Sequence, residues 1–513
     1  MREILARCVV VAFSLLPILC LADSNDGLAA YKAGDYQTAI PLLQSTSSSA
    51  PKDPIVRAAL LSALVYEGKV EEASEAADAD ATQFRDSPEV TAARGEFAYY
   101  MGDMAEAEKL FRAALKLKEQ TPRACYGLYR LYYAASMRRT ARLLLMRAHE
   151  IDADDALITR AWLSYLVPEK RKELLDAFIA AHPWFYSHLE RDRDTESQVE
   201  HELNKRKTFE LDGDRTETTL HLVQLLYGPT RVRGLGLPLK INGRRPLRML
   251  LDTGASGILV KQSAVDKAEL NHLGSGEAWG AGDAGPRKIF GSIADTCEIG
   301  SLKYKACLIG ATEGKKRISG DEDGLIGADV FSDYIIHIDF QKQLLHLTPQ
   351  PPRPPRPPRP PNPQGYDRVI GPDEKDFTPV FRYGGHLFVS TRVNGKSFGL
   401  FLLDTGAGLA TIDSVFARLS TKIRGNEYMH VTGVSGNVNE VFEADKAIID
   451  FAGYRQQNIG LTSFNLNTSP EHQEVRMAGV LGLPVLALFR LTLDYRNSLV
   501  KFDYIYKLSL IHI

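Results

Sequence analysis

The sequence predicts a multidomain chain in which an all-α helical repeat is followed by two all-β lobes. Three observations predict it: a 34-residue period in the first third, a change of composition near Thr216, and a set of motifs duplicated on either side of a proline-rich tract. With 513 residues the chain can bury several cores. Apolar residues make up 44% and charged residues 25%, values of globular domains rather than of disordered or multi-span membrane chains. Lys plus Arg number 62 against 64 Asp plus Glu, a net charge of -2, so no broad basic field exists to draw in nucleic acid.

Residues 1–22 read as an export signal. Arg2 and Arg7 precede an apolar run from Cys8 to Leu21, and Cys20-Leu21-Ala22 places small residues where a signal peptidase cuts. The run is shorter than the ~20 residues a spanning helix needs, so no stable membrane span is expected after cleavage near Ala22, and the protein is expected in the periplasm or outside the cell. Cys125, Cys297 and Cys307 remain, too few and too odd in number for a disulfide framework. A tight turn at Gly300-Ser301 would set Cys297 opposite Tyr304, out of register with Cys307, which makes both core residues.

The helical part, 23–167, rests on its period. Gly34-Asp35-Tyr36, Gly68-Lys69-Val70 and Gly102-Asp103-Met104 recur at 68 − 34 = 34 and 102 − 68 = 34, and Ser136 takes the next slot. Ala39, Ala73, Ala107 and Ala141 follow each by five residues, and Pro51, Pro88 and Pro122 fall near the unit ends. This pattern resembles the tetratricopeptide repeat, which implies stacked helix pairs and a concave surface for a protein partner. Residues 168–215 are polar, mixed in charge and helix-favouring, and are expected to form a helical connector.

Near Thr216 alternation begins in Thr219-Leu220-His221-Leu222-Val223, and Asn-Gly turns and β-branched residues become frequent. The expected first lobe spans 216–348. Pro-Pro-Arg then recurs three times within a linker, 349–375, an extended spacer rising ~3.1 Å per residue. The second lobe, 376–513, repeats the first. Asn242-Gly243 lies ten residues before Asp252-Thr253-Gly254-Ala255, and Asn394-Gly395 lies ten before Asp404-Thr405-Gly406-Ala407, an offset of 404 − 252 = 152. Gly324-Leu325-Ile326-Gly327 is answered by Gly479-Val480-Leu481-Gly482, and Ile338-Asp339-Phe340 by Leu493-Asp494-Tyr495.

Each Asp-Thr-Gly follows an apolar run, so a strand delivers a carboxylate into a glycine turn that backbone can approach closely. Asp-Thr-Gly-Ala with a later apolar-apolar-Gly resembles the aspartic proteases, and within them the retroviral-type, or retropepsin-like, domains. The resemblance implies that Asp252 and Asp404 share one proton and activate a water against a peptide bond. It also implies that Thr253 and Thr405 exchange hydrogen bonds across a pseudo-twofold axis, with Gly254 and Gly406 shaping the turns. The glycine-punctuated segments would be flaps over an extended peptide, with Trp279, Gly280 and Gly282 in the first and Gly433, Val434 and Gly436 in the second.

The implied activity is that of an aspartic endopeptidase needing no cofactor or metal. Gly280 to Gly285 fits G-x-G-x-x-G, yet Pro286 and strand-like residues follow where a phosphate-binding helix would begin. No H-E-x-x-H or C-x-x-C is present, and Ser256 lies outside a G-x-S-x-G elbow. Two other readings stay open on sequence alone. One is an exported peptide-binding protein with a protease-derived fold and no catalysis. The other is a pair of separate sites built by homodimerisation, should the proline spacer hold the lobes apart.

Overall fold

The computed structural model describes residues 26–182, 208–228, 231–313, 322–353, 368, 370–468 and 475–505. The expected export signal lies outside them, as do parts of the connector and linker. The chain forms two compact units, Met1–Tyr133 with Arg139–Arg191, and Ala134–Arg138 with Asp192–Ile513.

The first unit is built of helices α1 (Tyr36–Ser49), α2 (Pro54–Tyr66), α3 (Val70–Gln83), α4 (Pro88–Tyr100), α5 (Met104–Leu117), α6 (Pro122–Ala134), α7 (Arg138–Ile151), α8 (Ala156–Leu163) and α9 (Pro168–Ala181). The 34-residue period has a backbone cause. Gly34, Gly68 and Gly102 have φ of 80°, 69° and 84°, and Ser136 adopts the same left-handed turn at 61°. Helix starts fall on a second grid of the same spacing: Asp53, Ser87 and Asp155 each accept a hydrogen bond from a first-turn N–H. Ala39, Ala73, Ala107 and Ala141 are fully buried, because only a methyl group fits where paired helices cross. A buried ion-pair set joins the later repeats. Arg123 reaches Asp155 Oδ2 at 2.6 Å and Glu96 Oε1 at 3.3 Å, with its guanidinium 4.6 Å from the Tyr31 ring. Within the expected connector, α9 continues the helical packing, as Phe178 joins Ala156 and Leu163 in one cluster.

The second unit contains two lobe sheets and a sheet shared by both lobes. In the first lobe the strand Leu247–Asp252 runs parallel to Gly324–Gly327, with Gly327 opposite Asp252. In the second, Ser397–Asp404 runs parallel to Met477–Gly482, with Gly482 opposite Asp404. The glycines are obligatory: a Cβ on Gly327 would lie 2.6 Å from the Ala255 carbonyl oxygen, and one on Gly482 2.2 Å from that of Leu409. Asn242-Gly243 and Asn394-Gly395 both take left-handed φ, the geometry of a two-residue hairpin turn. Each asparagine side chain then accepts from a backbone N–H 54 residues on, Thr296 and Ile448 respectively.

The shared sheet decides the lobe arrangement. The first lobe gives it Thr218–His221, Tyr334–Asp339 and Leu344–Pro349; the second gives Thr378–Pro379, Phe489–Asp494 and Leu499–Tyr504. Its central pairs are Ile336 with Leu493, His337 with Thr492 and Ile338 with Leu491. Since 491 − 336 = 492 − 337 = 493 − 338 = 155, the pairing is symmetric about His337 and Thr492. The proline tract therefore does not separate the lobes; they hydrogen-bond within one chain.

Two details differ from a linear reading of the sequence. The alternation at Thr219 to Val223 is split at buried Leu222, with Thr218–His221 in the shared sheet and Val223–Tyr227 in the first lobe's sheet. The short strand Glu210–Leu211 pairs with Leu302–Thr312, so the first lobe's sheet draws on residues ahead of 216. At the Gly300 turn Cys297 pairs with Tyr304 and Cys307 with Ala294; both thiols are buried and free.

Candidate active site

Both Asp-Thr-Gly segments leave the ends of central strands and meet where the lobes join. Gly254 N–H donates to Asp252 Oδ1 at 2.9 Å, and Asp404 Oδ1 accepts from the N–H groups of Gly406 and Ala407, each at 2.8 Å. The threonines point away from the carboxylates and cross between lobes. Thr253 N–H donates to Thr405 Oγ1 at 3.1 Å and Thr405 N–H to Thr253 Oγ1 at 3.0 Å. Each hydroxyl then donates across the lobe junction, Thr253 to the Leu403 carbonyl at 2.7 Å and Thr405 to that of Leu251 at 2.8 Å. These four bonds fix the relative position of the two loops in a buried setting.

The glycines serve the opposite carboxylate. A Cβ on Gly254 would sit 2.3 Å from Asp404 Cγ, and one on Gly406 2.3 Å from Asp252 Cγ. Each carboxyl thus rests on the other lobe's glycine. Gly406→Ala is expected to destabilise the fold by about 1–3 kcal/mol through this overlap. Thermal unfolding measures it, and an unchanged Tm would contradict the packing.

Asp252 is buried; Asp404 keeps some solvent-accessible surface, while its carboxyl group is enclosed. Burial pushes the Asp404 carboxyl well above the usual carboxylate range, and the charge and hydrogen bond of Asp252 push it further. Two backbone N–H donors oppose the shift.

The two glycine-punctuated segments expected as flaps engage each other. The first follows the strand Gly274–Ala278 and returns along Arg287–Ile299; the second is the small hairpin of Thr432–Gly433 and Gly436–Asn437. Ser435 is the hinge of their contact. Its Oγ accepts from Gly280 N–H at 3.2 Å, its carbonyl accepts from Ala284 N–H at 2.9 Å, and its own N–H donates to the Ala281 carbonyl at 3.0 Å. Asp283 adds a bond from its N–H to the Asn437 carbonyl and accepts from Asn439 N–H at 2.7 Å.

Of the sequence-predicted flap residues, Gly280 abuts Val434, Gly282 lies over the Ser435 carbonyl, and Gly433 lies against Ala281. Gly436 takes a left-handed φ of 90° beside Ala284, and Trp279 is half-buried at the base of the first loop. Ser435 itself was not among the expected residues, although its place between Gly433 and Gly436 marked it. Arg233 was also not anticipated: its guanidinium donates to the Gly406 carbonyl from the other lobe. Gly280 to Gly285 lies in the flap loop, with a strand following it. Ser256 Oγ donates to Asp329 Oδ2 at 2.7 Å. Among the described residues, no cluster of three or more His, Cys, Asp or Glu could hold a metal ion, and no helix is long and apolar enough to cross a membrane.

Comparison with known proteins places the chemistry in context. Residues 237–330 match the family model described as aspartyl protease, and residues 30–96 that described as tetratricopeptide repeat. No curated protein sequence matches the chain. Among solved structures, an aspartic proteinase from Irpex lacteus aligns at 11% identity and a TM-score of 0.32, over 56% of this chain and 97% of that one. An O-GlcNAc transferase mutant from Thermobaculum terrenum aligns at 15% identity and a TM-score of 0.23, over 26% of each chain. Both scores are too low to carry an argument. With the 34-residue grid and the Asp-Thr-Gly loop seen above, the family matches show that the chain carries a tetratricopeptide-repeat region and an aspartyl protease domain.

Proposed function

We propose that the protein is an aspartic endopeptidase with one site per chain, its helical repeats serving to dock a protein partner. The observation that carries this reading is the meeting of Asp252 and Asp404 on opposite glycines, locked by the reciprocal Thr253–Thr405 bonds. In the proposed reaction the ionised member of the pair takes a proton from a bound water, which attacks the peptide carbonyl. The protonated member donates to the carbonyl oxygen. The flaps, joined through Ser435, would open to admit an extended peptide and close to exclude bulk water.

The shared sheet favours this single-site form over two sites made by homodimerisation, since each lobe already has its partner lobe. The test is the pH profile of kcat/KM on an unfolded protein substrate. A singly protonated pair gives a bell: the acid limb falls as both carboxyls take protons, and the upper limb falls as the pair loses its last one. The raised Asp404 moves that upper limb above the range of an ordinary carboxylate. Activity climbing steadily into alkaline pH would refute the assignment, and no cleavage at any pH would favour a peptide-binding protein.

A further inference from the structure

The turn at Gly300-Ser301 closes a long hairpin of the first lobe, in which Arg287–Ile299 pairs antiparallel with Leu302–Thr312. A regular ladder turns every second residue inward. Here both strands change phase together. Ala294 and Cys297, three residues apart, are both fully buried, while Asp295 between them is exposed. Opposite them Tyr304 and Cys307, also three apart, are both buried, while Lys305 is exposed. The slip has a backbone cause: Ala306 takes a left-handed φ of 51°, and the ladder skips Asp295 and Ala306 between the Ala294–Cys307 and Thr296–Lys305 pairs.

Strict alternation would have turned Cys307 away from the side that Tyr304 and Cys297 share; the slip carries both thiols into the core of the lobe. Cys307 Sγ donates to the Tyr304 carbonyl at 3.6 Å, and Tyr304 is the residue directly across from Cys297. A hydrogen bond with Cys297, together with burial, pushes the Cys307 thiol well above its ordinary range.

We propose that Cys297 and Cys307 form a disulfide that staples this hairpin. A bridge between neighbouring strands needs two side chains that meet on one side of the ladder, which the phase slip provides. The chemistry is exchange with a disulfide donor, a small-molecule or protein disulfide of the class met by chains exported to an oxidising compartment. The thiolate of one cysteine attacks the donor and releases one donor thiolate; the other cysteine attacks the mixed disulfide and releases the second. The pair gives up two electrons to the donor, and its two thiol protons end on the donor's two thiols. The folded lobe covers both thiols and disfavours the Cys307 thiolate, so the bond forms while the hairpin is still open, and the closed lobe then shields it from reductants. Neither cysteine belongs to the Asp252–Asp404 site, so the inference stands apart from the protease reading.

Refolding the full chain from denaturant and reductant into a glutathione redox buffer, then alkylating without reduction and mapping the peptides, tests it. Trypsin cuts at Lys303 and Lys305, so the two cysteines fall on separate peptides. The expected result is those two peptides joined, with Cys125, which is buried among the helices, recovered alkylated. The joined form should unfold several degrees above the same chain refolded with reductant. Cys307→Ala should abolish this redox-dependent difference in Tm, and Cys125→Ala should keep it. The peptide map needs no variant, so it decides the case even where Cys307→Ala fails to fold. Recovery of Cys297 and Cys307 on unlinked alkylated peptides, linkage of either to another cysteine, a Tm unmoved by the linkage, or a redox-dependent difference that survives Cys307→Ala or vanishes in Cys125→Ala would overturn the proposal.

Discussion

Asp252→Asn and Asp404→Asn, made singly in the full chain, are each expected to lower kcat/KM for peptide hydrolysis by about 10³-fold or more. That loss corresponds to ~4 kcal/mol of transition-state stabilisation. An amide can neither accept the water's proton nor share one with its neighbour, so either change disables the pair. Steady-state cleavage of an unfolded protein measures it. Partial activity in either variant would mean a second, independent site, and full activity in both would remove these residues from the chemistry.

The Asp404 change has a second, opposite consequence. Because the folded-state pKa is raised, the native protein binds more protons than the unfolded chain between the ordinary value of 3.8 and the raised one. Stability therefore falls as pH rises through that window, and the penalty is complete above it. Asp404→Asn removes the ionisation, so the variant should be more stable than the parent at neutral pH. The difference should close as pH falls below 3.8. Urea unfolding at the two pH values measures this, and equal stability at neutral pH would contradict the raised carboxyl.

The second large effect is expected at the threonine bridge. Thr253→Val or Thr405→Val keeps the volume but removes a hydroxyl that accepts one backbone N–H and donates to one backbone carbonyl. Two buried backbone groups then lose partners, at about 1–3 kcal/mol each, for a total of about 2–6 kcal/mol. Serine retains the hydroxyl and loses only a methyl group, about 1 kcal/mol. Denaturant unfolding should rank the parent above serine and serine above valine. Equal losses for valine and serine would show that packing, not the bridge, matters there.

The two-lobe architecture was legible because symmetry leaves local marks. Asn-Gly is needed for a left-handed hairpin turn, Gly327 and Gly482 for close approach to a neighbouring carbonyl, and Asp-Thr-Gly for the turn itself, so each marker recurs at nearly one offset. The helical grid was legible for the same reason, since the left-handed turn at Gly34 returns as far as Ser136. What stayed hidden depends on residues distant in the chain. Ser435 meets Gly280 across 155 positions, and Arg233 reaches Gly406 across 173. The pairing of the lobes rests on the register of Ile336 with Leu493, whose apolar side chains would suit any buried strand.

The central claim is that both carboxylates of the working site come from a single polypeptide. The specific activity of the unmodified full chain, followed over a thousandfold dilution, tests it most directly. A site completed inside one molecule predicts a constant value across the series; a steady decline on dilution, restored by concentrating the same sample, would show that a second molecule supplies half of it.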